Sequence, residues 1–494
     1  MRPMTDEQPA YQLFGQMARM FAAEALLVPV GILTAAFLSR RFGPAGYGLL
    51  ALSGVVVVWV EANVGAALSS PAIKLVGDAK DWRPAGAVIV RLYLVVGFAL
   101  MLLLWATAAP LARMFGEPAL TGYLLLFALD VPLFCLAQAH RTIIIGLGRF
   151  RERALATAAR WTTRLVLVVV FVELSGALSG AIWGIISASL IELCVCRLYV
   201  RPRLFQSDAR SMRRLCVDAL PLVASALCMS LYSRLDLILL KALGATPAEA
   251  GYYGVAQNVS LLLTLFSFAF APALLSTLAR ALRDGDVTRA RQLCRQSLRA
   301  VLFLLPLAAA LAGAASEVVV LVFGTAFLPA TPLLRLLVFG AWSLLMLSAM
   351  TSMIIARGKT RWTFHVAWPL LLCAVVGHLW LIPRAGAQAA AAVTACLASA
   401  GVVVTLELVR RLWRVSPPAA TLCRSILISA TVYALNAYVP ASGLLLFIKL
   451  ASAGVFTVAA FLMLGEFGRD EIDAARAMLR RAPQRRIETP SRVS

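Results

Sequence analysis

The sequence predicts an all-α, polytopic membrane protein of about fourteen transmembrane helices: two six-helix lobes related by a pseudo-twofold along the membrane normal, with two more helices at the C-terminal end. Three observations predict it. Hydrophobic residues make up 61% of the 494 and charged ones 14%, more apolar surface than a water-soluble core absorbs. The apolar residues fall into runs of about 20, the length that crosses a bilayer core as a helix. Short glycine-centred motifs also occur twice, in the same order, once in each half of the chain.

On the bilayer ruler the spans run near 12–39, 44–67, 84–112, 119–147, 152–175, 177–199, 216–241, 248–279, 299–319, 329–356, 362–382, 387–409, 418–438 and 442–466. The fifth and sixth, separated by LSGALSG, and the last two, separated by VPASG, are the pairs expected to merge or shift. The leading MRPMTDEQPA lacks a basic region, a short apolar core and a small-residue cleavage site, so the first span is expected to direct insertion itself. The nine cysteines lie mostly in apolar runs without metal-type spacing and read as small buried hydrophobes, with no metal site and no disulfide framework.

The net charge of +22 would suggest nucleic acid in a soluble domain. In a membrane chain it reflects basic loops facing the cytoplasm and its anionic lipid, and no nucleic-acid partner is expected. Loops after even-numbered spans, with the C-terminal tail, carry 31 Lys and Arg; loops after odd-numbered spans carry five, Arg40, Arg41, Arg113, Lys241 and Arg384. Both termini are therefore expected in the cytoplasm. The short outer loops leave no room for an external catalytic domain, and no enzyme activity is expected.

The repeat has three landmarks. Gly46-Tyr47 and Gly251-Tyr252 are 205 residues apart, Phe115-Gly116 and Phe323-Gly324 are 208 apart, and Gly148 and Gly358 are 210 apart. The offset spans six helices, an even number, so both copies have the same orientation and their axis runs along the membrane normal. This gives an N-terminal lobe over 12–199, a basic cytoplasmic linker over 200–215, a second lobe over 216–409, an appended hairpin over 418–466 and a cytoplasmic tail over 467–494. The tail sequence GRDEIDAARAMLRRAPQRR reads either as a surface helix on anionic lipid or as a solvated tail.

FLSRRFGPAGYGLLAL at the end of the first span, RLDLILLKALGATPAEAGYYGVAQNVS across the seventh and eighth, VFGTAFLPATPLLRLL before the tenth and IIARGKTRWTF at its exit resemble the polysaccharide flippases (Wzx-type O-antigen or exopolysaccharide translocases) of the multidrug/oligosaccharidyl-lipid/polysaccharide exporter superfamily. The likeness covers roughly residues 12 to 410. It implies a V-shaped pair of lobes that alternates between inward- and outward-open states. It also implies a cargo, a glycan repeat unit on a polyprenyl pyrophosphate, moved from the inner to the outer leaflet of a bacterial plasma membrane. Membrane lipids, and polysaccharide assembly proteins, would be the further partners.

Ionisable side chains inside spans are costly and usually face a cavity or a partner. In the first lobe these include Arg19, Glu24, Glu61, Arg91, Asp130, His140, Arg141, Arg160 and Arg164. Arg160 and Arg164 share one helical face, about 12 and 18 Å from the helix start at 1.5 Å per residue. Like charges at that spacing repel, so an anion is expected beside them: a carboxylate such as Glu61, Asp130 or Glu192, or a visiting pyrophosphate held by guanidinium forks. The functional version makes Arg19, Arg91, Arg141, Arg160 and Arg164 one cationic cavity, and adds Arg234 from the second lobe as a substrate contact. Asp236 lies on a stripe with Ser225, Met229 and Tyr232, and Tyr253, Gln257, Ser260 and Thr264 form a matching stripe on the next span. Two such stripes read either as a cavity wall or as interhelical hydrogen bonds that hold the bundle.

No cofactor is expected beyond a coupling H+ or Na+, for which Glu24, Glu61, Asp130 and Asp236 are the candidates; Asp236 reads equally as a salt-bridge partner of Arg234 or Lys241. His140, His365 and His378 are scattered. Pro272 is read as a bend in the eighth span, with a hinge as its functional version. The alternative within the superfamily is a cation-coupled multidrug exporter. It would want acidic and aromatic cavity walls, which five embedded arginines oppose. A glycan polymerase would need a sizeable outer loop, and a scaffold would not need a charged interior.

Overall fold

The computed structural model describes residues 26–79, 81–202, 235–443 and 445–466. Among them are helices and no strand, with ten segments long and apolar enough to cross a membrane. The first half of the first span, before Leu26, most of the seventh, nearly all of the basic linker and the tail after Glu466 lie outside the described residues.

The first two expected spans form one element, α1 (Leu27–Asp78), bent at Gly43. Gly43 has φ 68°, a region that costs a glycine little and other residues more. Pro44 then opens the second limb with its fixed φ and no N–H to lose. There follow α2 (Trp82–Met114), α3 (Leu120–Phe127), α4 (Asp130–Gly146), α5 (Phe150–Ser175) and α6 (Leu178–Tyr199). The fourth expected span is therefore broken at 128–129, and the break puts Asp130 in the first turn of α4. The fifth and sixth spans do not merge: Gly176, at φ 63°, ends α5 in the left-handed conformation.

The second half begins with the described part of α7, 235–242. It continues through α8 (Pro247–Arg283), α9 (Val287–Leu302), α10 (Leu305–Gly313), α11 (Ala315–Phe323), a 3₁₀ turn (Thr325–Ala330), α12 (Thr331–Ala356) and α13 (Thr360–Trp413). α13 holds the eleventh and twelfth spans, joined across a kink at Ala385 and Gly386. The hairpin α14 (Ala419–Tyr438) and α15 (Leu445–Met463) packs mainly on α10. These last two spans stay separate around Gly443, at φ 61°.

The ninth span departs from the expectation. It starts near 287 instead of 299, because the arginine-rich stretch expected to be a loop is the helix α9. Ala290, Cys294, Leu298 and Val301 are buried at helical spacing while Arg291 and Arg295 on other faces are exposed. The cysteine reading holds in part. Cys135, Cys196 and Cys294 are buried, but Cys194, Cys373, Cys396 and Cys423 are exposed on the bundle's outer surface. That surface carries many large apolar side chains, among them Val95, Trp380 and Phe447, as expected where the neighbour is lipid.

The glycine landmarks have a conformational basis. Gly116 and Gly324, and Gly148 and Gly358, all have positive φ; Gly148 and Gly358 sit in matching turns, whereas Gly324, at φ 97° and ψ 169°, leads directly into the 3₁₀ turn. The first landmark acts through space. Where α1 crosses α8, a Cβ on Gly48 would lie 1.8 Å from the Pro247 carbonyl oxygen, and one on Gly251 would lie 2.2 Å from that of Pro44. This reciprocity pairs Pro44 with Pro247 and Gly48 with Gly251, two residues away from the register that Gly46 suggests.

Candidate functional site

Four helices bring ionisable side chains together inside the first lobe. Asp130, Phe134 and Arg141 fall on one face of α4, Arg160 and Arg164 on one face of α5, and Ser189, Glu192 and Cys196 on one face of α6. The second limb of α1 adds Glu61. Glu192 is fully buried and is the hub: Arg141 Nη1 is 3.0 Å from its Oε1, and Arg160 Nη1 is 3.3 Å from its Oε2. Arg160 Nη2 is also 4.0 Å from Glu61 Oε2. Both guanidinium groups lie over the Phe134 ring, at 5.1 and 5.0 Å from its centroid, an arrangement that adds cation–π attraction where water is excluded. Asp130 is buried beside Glu61 and close to Arg160 and Arg164.

The alternatives left by the sequence are thus divided between two residues. Arg141 and Arg160 have protein carboxylates as partners. Arg164 is half-buried, stacks over Trp161 at 5.5 Å and makes no ion pair within 4 Å among the described residues. Three guanidinium groups, of Arg141, Arg160 and Arg164, face three carboxyl groups, of Glu61, Asp130 and Glu192, and a fourth guanidinium, of Arg153, is buried beside Arg141. Arg91 stands half-buried on α2 with no ion pair among the described residues. Arg19, Glu24, Arg234 and Tyr232 lie outside the described residues, as does the side chain of Thr264.

In the second half, Asp236 on α7 is buried. Its Oδ2 accepts a 2.6 Å hydrogen bond from the Tyr253 hydroxyl and a long 3.5 Å contact from Gln257 Nε2, and its Oδ1 accepts from the Leu237 N–H at 2.8 Å. The two polar stripes therefore meet, through Tyr253 and Gln257. Ser260 instead donates to the Gln257 carbonyl one turn back. Lys241 is not the partner of Asp236: its Nζ bonds Glu117 Oε1 at 2.9 Å and the Ala245 carbonyl at 2.7 Å. His140 on α4, with its Nδ1 2.7 Å from the Leu136 carbonyl, is remote in the chain from His365 and His378 on α13.

A seam of contacts joins the two halves at the arginine-poor end. The α1–α8 crossing is flanked by Tyr47 and Tyr252, each edge-on to Phe327 at 6.2 and 5.9 Å, and Asn258 Nδ2 donates to the Tyr47 hydroxyl at 2.8 Å. Arg40 donates to the carbonyls of Leu321 and Val322, and Lys241 reaches Glu117 across the halves. Arg40 and Lys241, two of the five basic residues expected in outer loops, thus bridge the halves at this seam. Sequence reasoning missed the seam's pairings and the central place of Glu192; its only signal for the latter was an acid within the apolar run IIELCVC, read as one carboxylate among three.

Residues 37–332 match the profile of the family described as "Polysaccharide biosynthesis protein". No curated protein sequence matches the chain. Among solved structures, the fold is similar to that of the lipid II flippase MurJ in an inward closed conformation (TM-score 0.75, 14% identity, 90% of this chain and 97% of that one). It is also similar to an inward-facing multidrug resistance transporter of the MATE family (0.68, 13%, 79% and 94%). A third similar structure is a transporter of the same exporter superfamily from Pyrococcus furiosus (0.57, 16%, 81% and 95%).

Proposed function

The chain belongs to the polysaccharide biosynthesis protein family and has the fold of the multidrug/oligosaccharidyl-lipid/polysaccharide exporter superfamily, and from that premise we propose that it is an alternating-access flippase for a polyprenyl-pyrophosphate-linked oligosaccharide. It would move this cargo from the inner to the outer leaflet of the bacterial plasma membrane, with both termini in the cytoplasm. The observation that carries the reading is Arg164: a half-buried guanidinium beside a cluster in which Arg141 and Arg160 already have carboxylate partners, with no ion pair of its own within 4 Å among the described residues. Its planar fork suits the paired oxygens of a pyrophosphate. Arg141 and Arg160 act as positioning residues, tying α4, α5, α6 and α1 into one unit through Glu192 and Glu61.

The cycle follows from the seam. With the α1–α8 crossing in contact, the headgroup enters from the arginine-rich face and meets Arg164. Release on the other side requires Gly48 and Gly251 to part and the two lobes to rock about the central axis. Glu61 and Asp130, adjoining carboxyl groups next to Arg160, would exchange a coupling proton as the cargo's charge arrives and leaves.

The test is reconstitution of the purified chain into vesicles whose inner leaflet carries the lipid-linked oligosaccharide, with glycan exposure read by an external glycan-cleaving enzyme. Exposure that depends on the protein supports the proposal. Efflux of a cationic dye with no glycan exposure would favour the multidrug exporter instead.

A further inference from the structure

Away from the first-lobe cluster, a cavity of about 490 Å³ opens where α9, the start of α14 and Glu466 meet. Its walls carry three guanidinium groups, of Arg295, Arg299 and Arg424, and one carboxylate, of Glu466. That carboxylate is already engaged: Thr421 Oγ1 and Arg424 Nη1 donate to it, and Arg299 Nε is 2.9 Å away. Among the described residues the lining carries one negative charge and three positive ones, and Arg295 is exposed with no ion pair among them.

A second feature points the same way. α14 is a 20-residue helix that starts behind Pro418 with no side-chain cap. The first intrahelical bond recorded at its start is from the Leu422 N–H to the Pro418 carbonyl, so the amides ahead of it have no helical acceptor. Pro418, Ala420 and Thr421 line the cavity, which places those N–H groups and the positive end of the helix dipole at its wall.

The surroundings identify the source of the anion. Immediately before Glu466, Met463 is 89% exposed, Leu462 and Leu464 are exposed, and so are Ile426 and Leu427 on α14. The cationic cavity therefore sits at the edge of the apolar belt, at the height where a lipid's acyl chains end and its phosphate begins. It also lies on the side that the loop arginines assign to the cytoplasm.

We propose that this cavity binds the phosphate of an anionic phospholipid headgroup, and that the bound lipid fastens the α14–α15 hairpin to α9 of the second lobe. The inference is independent of the cargo and of Arg164.

The experiment uses the full chain purified in detergent, with added phosphatidylglycerol, phosphatidylcholine or inorganic phosphate. Retained lipid is counted by mass spectrometry of the intact complex, and stability is followed by thermal unfolding. Phosphatidylglycerol is expected to be retained and to stabilise where phosphatidylcholine is not. Arg295→Gln, at an exposed position, is expected to weaken retention about tenfold, the usual scale for losing one charge-assisted hydrogen bond, and Arg295→Lys to restore part of it. Equal retention of the two lipids by the native chain, or unchanged retention in Arg295→Gln, would overturn the proposal. Inorganic phosphate stabilising as well as phosphatidylglycerol would overturn the lipid source and leave a free-anion site.

Discussion

Gly48→Ala should hold the seam open. The new Cβ would stand 1.8 Å from the Pro247 carbonyl oxygen, whereas ordinary contact begins at 3.4 Å. The difference of 1.6 Å must be met by moving α1 away from α8, since both partners are backbone and no rotamer relieves the clash. At Gly251 the corresponding difference, between 3.4 and 2.2 Å, is 1.2 Å. Such a shift loosens the 2.8 Å Asn258–Tyr47 bond and both edge contacts on Phe327. Overpacking of this kind costs about 1–3 kcal/mol, which moves a two-state equilibrium by about 5- to 150-fold. Alanine is a better helix former than glycine, so the helices themselves are retained. The assay places Phe327→Cys, at a fully buried position, in a chain otherwise free of cysteine and follows its labelling by a membrane-impermeant maleimide. Labelling should be at least about fivefold faster with Gly48→Ala. It should be unchanged with Gly122→Ala, where nothing lies within 4 Å of the added carbon. Equal rates in Gly48→Ala and its parent would refute the close crossing as the element that shuts this end.

Three further outcomes are expected. Glu192→Gln should lower the thermal unfolding midpoint strongly, because it strips the counter-charge from two buried guanidinium groups, and breaking a buried pair costs about 3–5 kcal/mol; a Glu192→Gln, Arg141→Met double variant should recover part of the loss, and a single variant as stable as the native chain would contradict the hub. Lys241→Met should raise labelling at Phe327→Cys in the same direction as Gly48→Ala, and adding Glu117→Gln should bring little more, since the two side chains form one contact; fully additive effects would argue that they do not. Burial pushes the Glu466 carboxyl up, but hydrogen bonds from Thr421 and Arg424 and the charge of Arg299 outweigh it and hold the group below the usual glutamate value. A depressed value means that the stabilisation is complete above about pH 4.5 and is lost as pH falls through the folded-state value, so the fall in thermal midpoint on acidification below that point should be smaller in Glu466→Gln.

Much of the fold was legible because membrane helices are defined by one-dimensional quantities. Run length located the spans, and the glycines at Gly116, Gly148, Gly324 and Gly358 marked turns whose left-handed φ shows in each half. The bends at Gly43 and Ala385–Gly386 fall in the expected connections 40–43 and 383–386; what run length could not show is that each connection is a kink within one continuous helix. The misreading of α9 has a similar cause: arginines were taken as the mark of a loop, although Ala290, Cys294, Leu298 and Val301 repeat at helical spacing and bury one face against the bundle. The stripes through Asp236, Tyr253 and Gln257 could be read because each lies along one helix. The division of roles among Arg141, Arg160 and Arg164 could not, since it depends on how α4, α5 and α6 are rotated toward Glu192. Charge counting treated the arginines alike, whereas the geometry pairs Arg141 and Arg160 with carboxylates and leaves Arg164 at the cluster's edge.

The central claim is that Arg164 receives the phosphate of the passenger lipid. It is tested most directly by the initial rate of protein-dependent glycan exposure in vesicles, compared for the native chain, Arg164→Lys and Arg164→Ala at equal amounts of inserted protein. Loss of one charge-assisted contact predicts a fall of about tenfold or more for Arg164→Ala, with Arg164→Lys between the two because a point charge replaces part of the fork. Native rates in both variants would contradict the account.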